Sequence, residues 1–340
     1  MAQLQGRPVL LVGSVPLETA TAVFEEVSSK LGPLAKRIPD GETGVRKDWI
    51  MWQADVIKEA KGLEPGSTRD LQGGYKFILY RAKPGSAVEF GPLGYAAAAI
   101  GSYQEFKRAR AGGKVSTSTR FQVSLPTPIA VVLSFCEETS IQAVWPAYEA
   151  RLKKEIEEIT AAIPHQDLAL QWDIAVEFCF ILESPEMAKT IPMELLAASI
   201  GRVSEPIPAA VELGLHMCYG DPGHKHVVEP KDTALMVELS NRLFADIKHP
   251  IAWLHMPVPR DRDDVAYFKP LKDLKLPPGT ELYLGLVHRT DGVAGARRRL
   301  AAAKEVVTDF GVATECGFGR RPPDTVPTLL DLHRDVAFLD

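Results

Sequence analysis

Leu213-Gly214-Leu215-His216-Met217-Cys218 is an apolar run that ends in two good metal ligands one residue apart. A short continuous apolar run, unlike an alternating one, fits a strand buried on both faces of a parallel sheet. About a hundred residues later comes a third ligand, Cys316, in Thr314-Glu315-Cys316-Gly317. Zinc favours Cys sulfur and His nitrogen, and catalytic zinc sites keep one position open, whereas a structural zinc is normally closed by two tight ligand pairs. The split set therefore points to a catalytic zinc site, set against the plainer alternative of a core cysteine beside a hydrogen-bonded histidine.

Working outward, similar runs recur at residues 9–13, 35–38, 76–80, 121–125, 168–172, 251–256, 282–287 and 312–314. Amphipathic stretches lie between them. In residues 148–162, Leu152, Ile156 and Ile159 share one face and Lys153, Lys154, Glu157 and Glu158 the other. Eight or nine strands alternating with helices predict an α/β fold, a single (β/α)8 TIM barrel forming one domain over residues 1–340. The region near residues 53–114 is the least regular and reads as a loop or subdomain over the barrel mouth. Pro84-Gly85, Asp221-Pro222-Gly223 and Pro277-Pro278-Gly279 read as loops.

Of the 340 residues, 46% are apolar, enough for a large core, and 39 basic against 44 acidic side chains leave a net charge of −5. No stretch concentrates Lys and Arg with interleaved aromatics, so a nucleic-acid surface is not expected. Arg297-Arg298-Arg299 with Lys304 has the spacing of a solvated helix face. Four widely spaced cysteines do not form a disulfide framework, which suggests a reducing compartment. With no signal-peptide core and no run of membrane-spanning length, a soluble cytoplasmic protein is the expectation.

Set against the strand map, Ser14 follows the first run, Asp40 and Glu42 the second, and Asp173 the 168–172 run. His216 and Cys218, His255, His288 and Cys316 follow the later ones. All fall at or just beyond carboxyl ends, the face on which barrel enzymes build their sites. Read without further context, Glu42 is equally a turn residue after Asp40-Gly41, and Asp173 a helix cap or ion-pair partner.

These segments resemble the C-terminal catalytic barrel of cobalamin-independent methionine synthase, in order and approximate spacing, over essentially the whole chain. Val12-Gly13-Ser14-Val15-Pro16 resembles its opening Ile-Gly-Ser-x-Pro, and Asp40-Gly41-Glu42 with Arg46, Asp48 and Trp49 its His-Gly-Glu segment. Leu125-Pro126-Thr127-Pro128 resembles a Thr-Gly-Pro turn, and Gln171-Trp172-Asp173 a Gln-Ile-Asp segment. His216-Met217-Cys218-Tyr219 is similar to its metal motif, and Cys316-Gly317 with Arg321 to its closing Cys-Gly-Leu-Lys-Thr-Arg. The resemblance implies a zinc-dependent methyl or alkyl transferase in which His216, Cys218 and Cys316 hold zinc and the metal keeps a substrate thiol as the nucleophilic thiolate. It implies that Ser14, Glu42 and Asp173 hold the amino-acid part of that thiol, the carboxylates suiting an ammonium group. It also implies that His288 assists proton transfer as the leaving group departs.

Several positions depart from the pattern. The family's fourth ligand is a glutamate at the end of the next strand, where this chain carries His255; a two-Cys, two-His site is chemically sound, and His255 is preferred to the mid-helix Glu238. Ile174 replaces an acidic residue, Glu177 is too distant to be assumed a substitute, and the loop Asp221-Pro222-Gly223-His224-Lys225-His226 adds two histidines that read as exposed. Glu315 and Gly319-Arg320-Arg321 also differ from the family's residues. Homocysteine or another small thiol is the expected acceptor. Full-length family members carry two barrels, so a one-barrel relative is expected to take its methyl or alkyl group from a corrinoid protein, another small donor, or an epoxide, as epoxyalkane:coenzyme M transferase does. A metal-independent barrel of the uroporphyrinogen decarboxylase type and a non-catalytic thiol- or partner-binding barrel are the competing readings.

Overall fold

The computed structural model describes residues 6–71, 75–220 and 226–340. Among them nine strands form: β1 (Arg37–Pro39), β2 (Leu63–Leu71), β3 (Tyr75–Ala82), β4 (Arg120–Pro126), β5 (Leu168–Ile174), β6 (Glu212–Met217), β7 (Ile251–Pro257), β8 (Glu281–Gly285) and β9 (Gly311–Val312). Seven make one parallel sheet in the order β1-β4-β5-β6-β7-β8-β9. Helices between them, such as Ile141–Ala162 and Ala234–Asp246, pack their apolar faces on the sheet. No helix of the described residues is long and apolar enough to cross a membrane.

The sheet is curled around a shared interior. Arg37 on β1 pairs with Glu212 on β6 and, at 2.9 Å, with Glu281 on β8, while its guanidinium lies 4.4 Å above the Trp253 ring of β7. One side chain can reach three such distant strands only if all of them face a common centre. Trp253, Tyr283, Leu10, Ala169 and Ala313 fill that interior.

The run at residues 9–13 is held differently from the others. Val9 bridges Val312 and Ser14 bridges Gly41, so the segment spans the gap between β9 and β1. Its intervening carbonyls accept from side chains, not from a neighbouring backbone: Gln122 Nε2 donates to Leu11 (3.0 Å) and Val12 (3.1 Å), and Gln171 Nε2 to Val12 (2.6 Å). Glutamines of β4 and β5 thus satisfy groups that a regular ladder would have paired.

Two expectations need correction. Residues 76–80 belong to β3, which pairs antiparallel with β2 in a hairpin outside the parallel sheet. An apolar run of strand length does not state its partner, and β2 was hidden by Pro65 and Gly66, where the register shifts at a bulge. The supposedly irregular region near 53–114 therefore contains this hairpin together with helices Gln53–Glu59 and Tyr95–Ala111. Likewise Arg299 is not on a solvated face; it is fully buried and forms a double hydrogen bond to Asp291 at 2.6 and 2.9 Å.

Gly214 is required by the interior packing, since a Cβ there would lie 1.8 Å from the Trp253 indole. Gly214→Ala is expected to destabilise the fold by about 1–3 kcal/mol or more through overpacking. Gly101→Ala, at an open mid-helix position, should instead stabilise it by about 0.5–1 kcal/mol. Urea midpoints at unchanged slope check both.

Candidate metal centre

Parallel register places the chemistry in rows across neighbouring strands. Asp173 on β5 pairs with His216 on β6, which pairs with His255 on β7. Two residues past His216, Cys218 follows on the same side and lies nearer the mouth. Cys316 arrives from the segment after β9, and the sulfurs of Cys218 and Cys316 come to 3.6 Å. That separation is far beyond the roughly 2.05 Å of a disulfide. It is close to the ~3.8 Å expected of two sulfurs at about 2.3 Å from one tetrahedral zinc. The ligating atoms of His216, Cys218 and Cys316 all lie within 4.8 Å of one another. The Gly220 N–H donates to Cys218 Sγ at 3.3 Å, an arrangement that favours a thiolate.

His216 is prepared for coordination by what lies behind it. The Thr314 carbonyl, 3.0 Å from His255 Nε2, can only accept, so Nε2 of His255 carries the hydrogen. Burial pushes His255 down to about 4, and burial together with His255 pushes His216 well below its ordinary value, so both rings are neutral at pH 7. Neutral His255 then accepts at Nδ1 from His216 Nδ1, 2.7 Å away. The chain of bonds leaves the Nε2 lone pair of His216 available to a metal. His255 itself stands outside the cluster: both its nitrogens are engaged, and it sits a layer below Cys218. Glu238 is on the helix Ala234–Asp246, away from the three donors.

Ser14, Glu42, Asp173, His216, Cys218 and Cys316 line one cavity of about 310 Å³. His288 does not line it. Its Nε2 lies 2.8 Å from the Val258 carbonyl and its Nδ1 3.5 Å from Glu315. Ser14 Oγ accepts from the Gly319 N–H at 3.1 Å and the Ser14 carbonyl from Phe318 N–H at 2.7 Å, so Ser14 pins the segment that carries Cys316. Gly13 permits Glu42 to approach, since a Cβ there would lie 2.8 Å from Glu42 Oε1.

Glu42 and Asp173 are buried carboxyls whose ionised forms are disfavoured, even though Arg46 and Arg320 act the other way on Glu42. Burial raises both above the ordinary carboxylate range; Asp173 raises Glu42 further, and Cys316 and Glu177 do the same to Asp173. Gln171 and the Trp49 indole, donating to Asp173 at 2.8 and 3.2 Å, only partly offset this. Such a pair accepts a cation readily. The backbone around it is strained: Glu42 and Trp49 have φ of 51° and 54°, a region that bulky residues rarely adopt outside functional sites.

Sequence reasoning missed other parts of this site. Residues Glu177–Leu182 form a π-helix directly after β5, a local irregularity common at functional sites, which brings Cys179 and Phe180 to the cavity wall. Glu177, set aside as distant, is buried against Thr127 and pushed up to about 7. His226, expected to be exposed, has a side chain only 6% exposed, with Nε2 3.0 Å from Glu315 and Nδ1 3.1 Å from Glu229. Burial works against its charge, but the two glutamates outweigh it and push His226 up to about 9. Its loop partner His224 lies outside the described residues.

A curled parallel sheet with a His-Cys-Cys cluster at its carboxyl-end mouth defines a barrel-like α/β protein with a cavity whose donor atoms could hold a metal ion. Its structural neighbours are cobalamin-independent methionine synthase-like proteins. A Listeria monocytogenes protein provisionally assigned as a vitamin B12-independent methionine synthase matches with TM-score 0.59 at 17% identity, over 98% of this chain and 99% of that one. A B12-independent methionine synthase from Shewanella sp. W3-18-1, solved in complex with selenomethionine, matches with TM-score 0.62 at 14% identity, over 98% and 97%. Likeness at this identity establishes a shared fold. No protein-family model and no curated protein matches the chain.

If His255 orients His216 without ligating, His255→Ala should weaken zinc affinity about 10–100-fold while still binding one equivalent. Cys316→Ala and His216→Ala should lose stoichiometric zinc, and Glu238→Ala should retain wild-type affinity. Competition with a chromogenic chelator reads all four.

Proposed function

We propose that this chain is a zinc-dependent methyl or alkyl transferase acting on a small thiol that carries an ammonium group, with homocysteine the first candidate. The convergence of His216, Cys218 and Cys316, with Nδ1 of His216 engaged by His255 so that Nε2 is left for a metal, is the observation that carries this reading. The donor set of one neutral imidazole and two thiols suits zinc and leaves a position for a substrate. Zinc held there supplies a substrate thiol that is deprotonated at neutral pH, and therefore nucleophilic.

The protein's own residues supply recognition. Burial and Asp173 keep Glu42 above the ordinary carboxylate range despite Arg46 and Arg320, and an ammonium group would favour the ionised form of both carboxyls through charge-assisted hydrogen bonds. Ser14 positions the Cys316 segment and presents its hydroxyl to the cavity. The Shewanella neighbour's complex with selenomethionine supports the reading, because an amino acid with a methylated chalcogen has the shape of the expected product. In this reading residues 9–14 serve as the eighth stave of a closed (β/α)8 barrel, and the chain is a single domain. His288 acts through Glu315, as a positioning residue.

The test is X-ray absorption on the zinc-loaded protein across a panel of thiols. Homocysteine should add a sulfur at about 2.3 Å and release about one proton near neutral pH. Glu42→Gln and Asp173→Asn should weaken homocysteine about 10–100-fold and leave ethanethiol unaffected. Absence of an added sulfur with every thiol would remove the acceptor role.

A further inference from the structure

Besides the three donor residues, the cavity is lined by aromatic and apolar side chains. Trp49, Phe77 and Phe180 contribute aromatic faces, and Ile50, Met51 and Val176 apolar surface. The described lining also carries the carboxyls of Glu42, Asp48, Asp70 and Asp173 and the guanidinium of Arg320; Asp70 is exposed, 4.0 Å from Lys76, and in the proposed thiol complex Glu42 and Asp173 share one ammonium group. A polyanionic donor such as a glutamylated pteridine would find Arg320 as the one cationic side chain on the described lining. Its volume is a second obstacle, since 310 Å³ is at the small end of ligand pockets, about 300–1,000 Å³, and must also admit the thiol. Aromatic rings beside carboxyl groups are instead the chemistry that recognises compact cations, above all methylated oniums.

An independent observation concerns the leaving group. A donor whose leaving group departs as an anion needs an acid in the cavity, and in the proposed complex the thiol's ammonium group favours the ionised forms of the raised carboxyls Glu42 and Asp173. His288, the residue expected to serve, is outside the lining, with Nε2 against the Val258 carbonyl and Nδ1 toward Glu315. An onium donor has no such need, because its leaving group departs neutral.

We infer that the second substrate is a small methylated onium, a sulfonium or quaternary ammonium compound, held by Trp49, Phe77 and Phe180 over the thiol. The inference rests on the proposed thiol chemistry and names the donor for that same site. In the transfer, the thiolate sulfur attacks a methyl carbon, a C–S bond forms, and the carbon–onium bond breaks. The electron pair of that bond stays on the departing thioether or tertiary amine. One negative and one positive charge become two neutral products, with no proton, oxidant or reductant consumed. Loss of charge in this way is favoured in a cavity drier than bulk water.

Trp49 is the specificity residue of this arrangement. It lines the cavity, and its indole N–H donates to Asp173 at 3.2 Å. The experiment uses the zinc-loaded full chain with homocysteine and separate donors: trimethylsulfonium, tetramethylammonium, 5-methyltetrahydropteroyl glutamate and methylcobalamin. Methylated thiol is read by mass spectrometry, with X-ray absorption in parallel to score thiol ligation. Transfer from an onium is expected, and none from the folate. Trp49→Leu should raise KM for the onium about tenfold with a smaller effect on kcat. Trp49→Phe, which keeps a ring but loses the N–H, should stay within about threefold of wild type. If the thiol ligates zinc and no onium reacts, or the folate or methylcobalamin reacts in its place, the donor assignment is overturned. It is also overturned if Trp49→Phe behaves as Trp49→Leu, since the indole then acts only through Asp173. Failure of the thiol to ligate zinc defeats the underlying reading, and this inference with it.

Discussion

The hydrogen-bond line from His216 through His255 to the Thr314 carbonyl is the constraint on which the site depends. It joins β6 to β7 and then to the segment two residues before Cys316. Cys218 and Cys316 are 98 positions apart in sequence, and each is delivered by a separate strand end. Without a tie between those ends, small changes in sheet curl would separate two sulfurs that now stand 3.6 Å apart. The same line fixes the tautomer of His216, so one set of bonds sets both the geometry and the electronic state of the cluster. Ser14 provides a second tie, from the opposite edge of the sheet to the same Cys316 segment.

The cavity is electrostatically lopsided. On one side are the neutral imidazole and two thiols; on the other are Glu42 and Asp173, which burial and neighbouring acids raise above the ordinary carboxylate range although Arg46 and Arg320 act against this at Glu42. The strained backbone at Glu42 and Trp49 maintains this arrangement at a cost of about 1–3 kcal/mol each, offset by the surrounding packing. A ligand that brings positive charge relieves the repulsion, and an anionic one increases it. Selection by charge therefore precedes any detailed fit.

Much of this was legible in the sequence, and the reasons are particular. The runs that became β4 to β8 are nearly continuous in apolar residues because helices or the interior cover both faces, and their last residues mark the mouth. Six of the eight residues singled out share one cavity for that reason. His255 was placed correctly at a strand end, but spacing cannot reveal that its nitrogens would be taken by His216 and Thr314. His288 was similarly placed and is drawn away by Val258. The hairpin β2–β3 was obscured by Pro65 and Gly66, and the π-helix after Asp173 has no periodic signature. The burial of Arg299 and His226 depends on acids brought near by the fold, Asp291 and Glu315.

The proposed function depends on which atoms would hold zinc. An anomalous-difference map collected at the zinc edge from crystals grown with one equivalent of zinc tests this directly. The account predicts a single peak within bonding distance of His216 Nε2 and both sulfurs, with His255 still hydrogen-bonded to Thr314. A peak ligated by His255, or density at the three donors that excludes zinc while the protein retains a full equivalent elsewhere, would contradict it.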